Sequence, residues 1–202
     1  MRKFTRGETP DFLKSRWKAW GNSYTNNRRK NPAFIFQWAT YQGNKINKLL
    51  EPFLASLTDD HCSYCDNFPI RSKEDSIDHF KPKSRPAYYG LVCKWENLYF
   101  CCQNCQQYKR EQFNQYLLRP DSEDFSFDKY FIYSYASHEL EPHPALTATE
   151  NRKAKITIDI FGLNDKGHIA ARRISLERFE VKKNLGEEIV VTDFPYRFTL
   201  LQ

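Results

Sequence analysis

The sequence predicts an α+β fold in which a cysteine-rich core lies between helical N-terminal and C-terminal regions. Apolar residues recur at helical spacing in the first 60 residues and after residue 146, whereas residues 61–113 hold all six cysteines and show little helical periodicity. The length of 202 residues and the 16% aromatic content suit one compact domain or two small ones. We therefore divide the chain into a basic helical region (1–60), a cysteine-rich core (61–113) and a C-terminal helical scaffold with short strands (114–202).

The N-terminal region is expected to be helical with breaks. Asn31 followed by Pro32 is typical of a helix start, because Asn caps the first turn and Pro fits its first position. The polar residues 21–30 before this pair are predicted to form a loop, and Pro52 predicts a break in the apolar face over residues 49–57. The helix that follows Asn31 is predicted from an apolar stripe formed by Phe34, Ile35, Trp38 and Tyr41.

The C-terminal region is predicted to contain two helices and short strands. Thr147 and Glu150 have the spacing of a capping box at the start of a helix, and Gly162 supplies its stop. A second helix is expected over residues 167–185. Short runs at 131–135, 189–191 and 194–201 predict strands.

Charge makes nucleic acid a reasonable partner. Lys and Arg number 31 against 25 Asp and Glu, and residues 1–60 alone hold 11 basic and 5 acidic side chains. A basic surface concentrates polyanions, although a solvated face would show the same excess. No window has the length and apolarity of a membrane span, and no secretion signal opens the chain, so we expect a cytoplasmic protein without membrane contact.

The cysteines predict a structural zinc site. Cys62 with Cys65, and Cys102 with Cys105, form two Cys-x-x-Cys pairs separated by 36 residues, and two such pairs supply the four thiolates of tetrahedral zinc. Buried free cysteines are the alternative. Cys101 could replace Cys102 as a ligand, but the x-x spacing favours Cys102. The remaining Cys93 and Cys101 are predicted to pack in the core. His61 could compete for the metal, but a solvent-facing or hydrogen-bonding role is favoured.

Asp78 and His79, adjacent between the two cysteine pairs, predict a hydrolytic centre. A carboxylate binds a hard cation such as Mg²⁺, and an imidazole can accept a proton from water. Such a pair is a weak signal by itself. With the flanking cysteine pairs, the sequence resembles the HNH endonucleases of the ββα-metal type. Positions that match this family are Cys62, Cys65, Asp78, His79, Asn97, Leu98, Cys102, Cys105 and Lys109.

The resemblance implies a ββα-metal core with a role for each matching residue. His79 would be the general base, Asp78 would bind Mg²⁺ or Mn²⁺, and Asn97 would brace the loop that carries His79. The family usually has His or Asn where this chain has Gln106, whose amide oxygen would be the second ligand, one methylene further from the backbone than that of Asn. Phosphate contacts would come from Lys81, Lys83, Arg85, Lys109 and Arg110.

A narrower resemblance is to the PtuB family, the HNH subunits of Septu-type antiphage systems, some of which are linked to retrons. Residues 78–83 (DHFKPK), 95–98 (WENL) and 102–109 (CQNCQQYK) carry it. It implies a PtuA-like ATPase partner, since this chain has no Gly-x-x-x-x-Gly-Lys-Ser/Thr loop of its own. It also implies DNA as the expected substrate, with tRNA as another, and a retron reverse transcriptase with its RNA–DNA product as further partners. The competing hypothesis is a zinc-bound adaptor that binds nucleic acid or protein without cutting.

Overall fold

The computed structural model describes residues 1–70 and 76–200 as a mixed helix and sheet structure. Thirteen helices and strands follow one another along the described chain. They are α1 (Asp11–Lys14), α2 (Trp17–Lys30), β1 (Thr40–Tyr41), β2 (Asn44–Lys45), α3 (Ile46–Ser56), β3 (Ile77–His79), β4 (Leu98–Phe100), α4 (Gln103–Lys109), α5 (Phe127–Tyr130), β5 (Phe131–Tyr133), β6 (Leu140–Pro142), α6 (Ala148–Phe161) and α7 (Lys166–Asn184). Short 3-10 helices span Pro86–Leu91, Trp95–Asn97, Val191–Asp193 and Arg197–Thr199.

Two predictions for the N-terminal region are wrong. Residues 21–30, predicted as a loop, belong to helix α2, and the helix predicted after Asn31 is absent because residues 31–39 have no regular structure. Helix α2 buries only Gly21 and Tyr24, and a helix that packs through a glycine leaves no apolar stripe in the sequence. The aromatic side chains of residues 34–38 pack inward from an extended segment instead.

Helix α3 is continuous, whereas the sequence predicted a break at Pro52. Pro52 lies inside it, on its exposed side, so the backbone hydrogen bond that proline cannot make is lost at the solvent face. The opposite face buries Ile46, Leu50 and Leu54. Burial of this apolar face keeps the helix intact across the proline.

The middle of the chain is built on an antiparallel strand pair followed by a helix. Strand β3 pairs with β4 in the register Ile77 to Phe100, Asp78 to Tyr99 and His79 to Leu98. Residues 80–97 connect the two strands and contain two of the 3-10 helices. Helix α4 begins directly after β4, which brings its first turn next to the strand pair.

The two C-terminal helices predicted from the sequence are present in the structure. The Thr147 and Glu150 capping box is present at the start of α6, and Gly162 ends that helix with φ of 58° and ψ of 37°, a left-handed conformation that favours glycine. Helix α7 is the predicted second helix. Strand β5 occupies the predicted run at 131–135.

The tail differs from its prediction. The described residues 189–200 contain the two 3-10 helices Val191–Asp193 and Arg197–Thr199 and no strand, and residue 201 lies outside the described residues. The physical reason is the burial of Arg197. Its guanidinium lies 2.7 Å from Asp66 Oδ1 and 2.7 Å from Asp59 Oδ2. Side-chain contacts of this kind hold the tail without strand pairing.

Two clusters of buried residues make up the core, and the strand pair lies between them. Tyr99 belongs to the cluster that also holds the C-terminal helices, whereas Leu98 and Phe100 belong to the cluster that holds α3. This division follows from the alternation of side chains along a strand. None of the helices in the described part of the chain combines the length and apolar character that crossing a bilayer requires.

Candidate metal and catalytic site

Four buried cysteines from two turns come together at the base of the strand pair. Cys62 and Cys65 lie in the turns after α3, Cys102 caps the start of α4, and Cys105 lies in its first turn. Their four sulfur atoms lie within 4.8 Å of one another. Zinc–sulfur bonds of about 2.3 Å would place the sulfurs about 3.8 Å apart in a tetrahedron. This cluster could therefore hold a zinc ion.

Hydrogen bonds within the cluster favour the thiolate form at Cys62 and Cys102. Cys65 Sγ lies 3.6 Å from Cys102 Sγ, and the backbone N–H of Cys102 donates to Cys62 Sγ over 3.3 Å. Hydrogen bonding to Cys105 lowers the pKa of the Cys102 thiol to about 7. Burial raises the pKa of the Cys65 and Cys105 thiols, so without a cation these two sulfurs would keep their protons.

The remaining cysteines and His61 have the structural environments that were predicted. Cys93 and Cys101 are buried, and burial raises the pKa of the Cys93 thiol to about 12. His61 forms hydrogen bonds through both ring nitrogens, to the carbonyls of Asp59 and Phe194. Its predicted hydrogen-bonding role is confirmed.

His168 lies next to the cysteine cluster, a position that the sequence analysis did not predict. Its Nε2 lies 3.9 Å from Cys105 Sγ, and its Nδ1 lies 2.8 Å from the carbonyl oxygen of Gly162. Asp165 caps α7 by accepting from the His168 backbone N–H over 2.6 Å. The first turn of α7 therefore contacts the cysteines, 63 residues after Cys105, a separation that no local spacing signals.

Asp78 is held by two donors on one face of β3. Lys109 Nζ lies 3.0 Å from Asp78 Oδ1, and the Tyr64 hydroxyl donates to Oδ2 over 2.9 Å. Lys109 also donates to the carbonyl of His79 over 2.7 Å and is only 1% exposed. This position differs from the expected one, because an enclosed ammonium paired with Asp78 is not available at the surface for a phosphate.

His79 lies on the opposite face of β3, where its ring is enclosed. Its Nε2 lies 2.9 Å from the carbonyl oxygen of Val92, and because a carbonyl only accepts, the neutral ring carries its proton on Nε2 and its lone pair on Nδ1. Trp38 stacks on the ring at 5.3 Å between centroids, and Phe36 meets it edge to face at 5.3 Å. Burial, with Lys83 nearby, lowers the pKa of His79 to about 3.

Asn97 connects the ends of the segment between the strands. Its Oδ1 accepts from the backbone N–H of Lys81 over 2.8 Å, and its Nδ2 donates to the carbonyls of Lys81 and Leu91 over 3.1 and 3.2 Å. The side chain is 5% exposed. These three bonds fix the backbone that follows His79.

An open cleft of about 220 Å³ brings several of the predicted residues together. Lys81 and Arg85 lie elsewhere: Lys81 Nζ lies 5.5 Å from the Tyr88 ring centroid, and Arg85 is exposed and reaches the carbonyl of Phe113. Glu111, which the sequence analysis did not single out, approaches Lys83 at 4.0 Å. The cleft is lined by Ile77, Asp78, His79, Pro82, Lys83, Gln106, Arg110 and Glu111.

The donor types in the cleft fit a hard divalent cation. Asp78 supplies a carboxylate and Gln106 an amide, and Mg²⁺ is commonly held by one or two protein oxygens together with water and phosphate oxygens. A carboxylate has about four lone-pair sites, of which Lys109 and Tyr64 use two. The Gln106 side chain also donates to the carbonyl of Cys101 over 3.2 Å, next in sequence to Cys102 of the cysteine cluster.

Comparison with known proteins shows a distant similarity over part of the chain. No protein-family model matches the chain. The chain is similar to a Septu protein. This relative is the Septu protein PtuB of Bacillus mycoides (strain KBAB4), with 25% identity over 89 residues, and the match covers 39% of this chain. The match spans 29% of the length of that relative, so it relates a part of each protein.

Proposed function

We propose that this chain is a metal-dependent HNH endonuclease that acts as the effector of a Septu-type antiphage system. One observation carries the proposal: the antiparallel pair β3–β4, followed by α4, lines a single cleft with Asp78, His79 and Gln106. The four-cysteine cluster beside it and the distant similarity to a Septu protein PtuB support the same assignment. In this proposal the strands, the helix and the cluster form a zinc-bound ββα-metal core.

Asp78 and Gln106 would hold the catalytic cation through their side-chain oxygens. A bound Mg²⁺ or Mn²⁺ would polarise the scissile phosphate and offset the charge that develops on it. Lys109 and Tyr64 would keep the Asp78 carboxylate oriented, each through one of its oxygens. This gives Lys109 a positioning role in place of the expected phosphate contact.

His79 would accept the proton of the attacking water at Nδ1. The hydrogen bond between Nε2 and the Val92 carbonyl favours the tautomer whose Nδ1 has the lone pair. The lowered pKa leaves the imidazole unprotonated at neutral pH, but a pKa of about 3 also makes it a weaker base than an imidazole whose pKa is matched to neutral pH. Asn97 would hold the backbone after His79 so that the ring stays in register with the cleft.

Lys83 and Arg110, which line the cleft, would neutralise substrate phosphates, and Lys81 and Arg85 would extend this contact beyond it. We expect DNA as the substrate, with tRNA as the other candidate, because the same chemistry cleaves either backbone. A PtuA-like ATPase would be the partner. A retron reverse transcriptase with its RNA–DNA product would join them if the system is retron-linked.

A non-cleaving adaptor is the second candidate function. The observation that favours it is the ion pair between Asp78 and Lys109, in which an ammonium already lies beside the carboxylate that should bind the cation. In this case the cysteine cluster would stabilise a binding module, and the Asp78–Lys109 pair would be structural.

A cleavage assay separates the two candidates. Wild type, His79→Ala and Gln106→Ala are incubated with Mg²⁺ or Mn²⁺ on plasmid DNA and on total tRNA, with and without the PtuA-like ATPase. We expect the wild type to cut one substrate, His79→Ala to be inactive, and Gln106→Ala to need more metal. Zinc content and circular dichroism check that the variants are folded. No cutting by folded, zinc-loaded wild type in any combination would favour the adaptor.

A further inference from the structure

The segment formed by residues 31–39 reaches from the N-terminal region to His79. Two of its side chains contact the imidazole directly. The Trp38 indole stacks on one face at an interplanar angle of 19°, and Phe36 approaches at 84°, each with its ring centroid 5.3 Å from that of His79. Phe36 and Trp38 also meet edge to face at 5.0 Å, so the three rings form one group.

The segment is anchored on both sides of these two rings. Arg28 of α2 donates to the carbonyl of Phe34 over 3.0 Å, and the backbone N–H of Ile46 donates to the carbonyl of Ala39 over 2.9 Å. Tyr24 of α2 packs edge to face on Phe36 at 5.3 Å between centroids. The rings that contact His79 are therefore held by neighbours on α2 and α3.

This enclosure fixes the orientation of the imidazole. The hydrogen bond to the Val92 carbonyl constrains Nε2 but leaves rotation about that bond open. The Trp38 ring stacks on one face of the imidazole, and the Phe36 ring packs against it edge to face. Together they remove this rotational freedom. His79 lines the cleft together with Asp78.

We propose that Trp38, supported by Phe36, is a positioning residue for His79, an inference that rests on the proposed nuclease function. The aromatic pair holds the imidazole so that Nδ1 stays at the angle from which it can accept a proton from the attacking water. A small displacement of a catalytic group lowers the rate by about two orders of magnitude. The N-terminal region, outside the cysteine-bound core, thereby completes the catalytic site.

Trp38→Leu, Trp38→Phe and a control, Trp17→Leu, test the proposal. Trp17 is another half-buried tryptophan that packs on the same cluster, with Lys18 and Lys94 near its ring. The first readout is the NMR chemical shift of the His79 ring protons, assigned with His79→Gln, which a stacked indole moves upfield. The second is kcat and KM on the nucleic acid that the wild type cuts.

We expect Trp38→Leu to lose the ring-current shift and to lower kcat about 10- to 100-fold with KM within about twofold. Trp38→Phe should restore most of kcat, and Trp17→Leu should keep both readouts. An active wild type whose kcat is unchanged in folded Trp38→Leu would overturn the positioning role alone. A wild type that cuts nothing would refute the proposed function, and with it the catalytic meaning of the contact.

Discussion

Asp78 and His79 are adjacent in the chain but lie in different surroundings, because successive side chains of a strand point to opposite faces. Asp78 faces Tyr64 and Lys109, which are a donor and a cation that hold its charge. His79 faces aromatic rings, which favour its neutral form. One dipeptide thus places a carboxylate and an uncharged imidazole in different surroundings, while both residues line the same cleft.

The buried imidazole predicts an acid-dependent loss of stability. The pKa of His79 is lowered to about 3 in the folded protein, from 6.5, so the unfolded chain binds the proton first as the pH falls. The stability from a neutral His79 is therefore complete above about pH 6.5 and is lost progressively below it, by up to about 1.4 kcal/mol per pH unit.

Urea unfolding of wild type and His79→Gln at pH 7.5 and pH 5.0 measures this loss. We expect the free energy of unfolding to fall by about 2 kcal/mol more in wild type than in the variant. Comparing the two proteins cancels the acid sensitivity of the thiolates, which both share. Equal losses would show that His79 has an ordinary pKa in the folded chain.

The ion pair between Asp78 and Lys109 predicts strong coupling between two substitutions. Lys109→Met leaves the Asp78 carboxylate in a buried site without its cation, which should lower the free energy of unfolding by about 3–5 kcal/mol. Asp78→Asn combined with Lys109→Met should recover much of that loss. Chemical denaturation of the single and double variants gives the coupling.

The control for this cycle is Lys94→Ala. Lys94 and Glu96 form an exposed pair at 3.9 Å, and such pairs contribute about 0–1 kcal/mol. If Lys109→Met lowers the free energy of unfolding no more than Lys94→Ala does, Lys109 is solvated in solution.

At the scale of elements, two helical glycines have different surroundings. In α2, a Cβ on Gly21 would lie 2.3 Å from the carbonyl oxygen of Gly90, so this helix can approach the Pro86–Leu91 turn only through a glycine. In α7, a Cβ on Gly167 would meet its nearest atom, Asp165 Oδ2, at 3.5 Å. The first glycine is needed for packing, and the second is not.

Alanine substitutions at these two positions should therefore change stability in opposite directions. Gly167→Ala should raise the free energy of unfolding by about 0.5–1 kcal/mol through helix propensity. Gly21→Ala gains the same propensity but must displace a backbone carbonyl, so we expect a net loss of about 1–3 kcal/mol. Thermal unfolding of both variants checks this, and a stabilised Gly21→Ala would contradict the close contact.

At the scale of the whole molecule, the cysteine cluster joins parts of the chain that are far apart in sequence. Cys62 follows α3, Cys105 belongs to α4, and His168 adds a contact from α7. Because a zinc ion bound here would fix all three, its binding should be coupled to folding.

Metal removal tests this coupling. We expect one zinc ion per chain, and chelation should lower the unfolding temperature steeply and loosen the fold. Cys62→Ser should lose zinc and much of its stability, whereas Cys93→Ser, at a buried cysteine outside the cluster, should keep its zinc. Atomic absorption measures the zinc content, and circular dichroism measures the unfolding temperature. Full stability of metal-free protein would favour buried free cysteines.

The features that the sequence predicted are those with short-range causes. A capping box, a left-handed glycine and a Cys-x-x-Cys pair each act within a few residues, so Thr147, Gly162 and the two cysteine pairs could be identified from spacing alone. The candidate residues Asp78, His79 and Gln106 were likewise selected in the sequence, and they line one cleft. Their catalytic roles stay predictions.

Tertiary structure decided the features that depend on distant partners. The packing of α2 through Gly21, the path of residues 31–39, the burial of Lys109 and the approach of His168 to Cys105 each involve contacts between separate elements. The sequence by itself determined which residues can carry the chemistry. Only the fold decided which of them are enclosed or exposed, because burial and pairing depend on parts of the chain that local patterns do not describe.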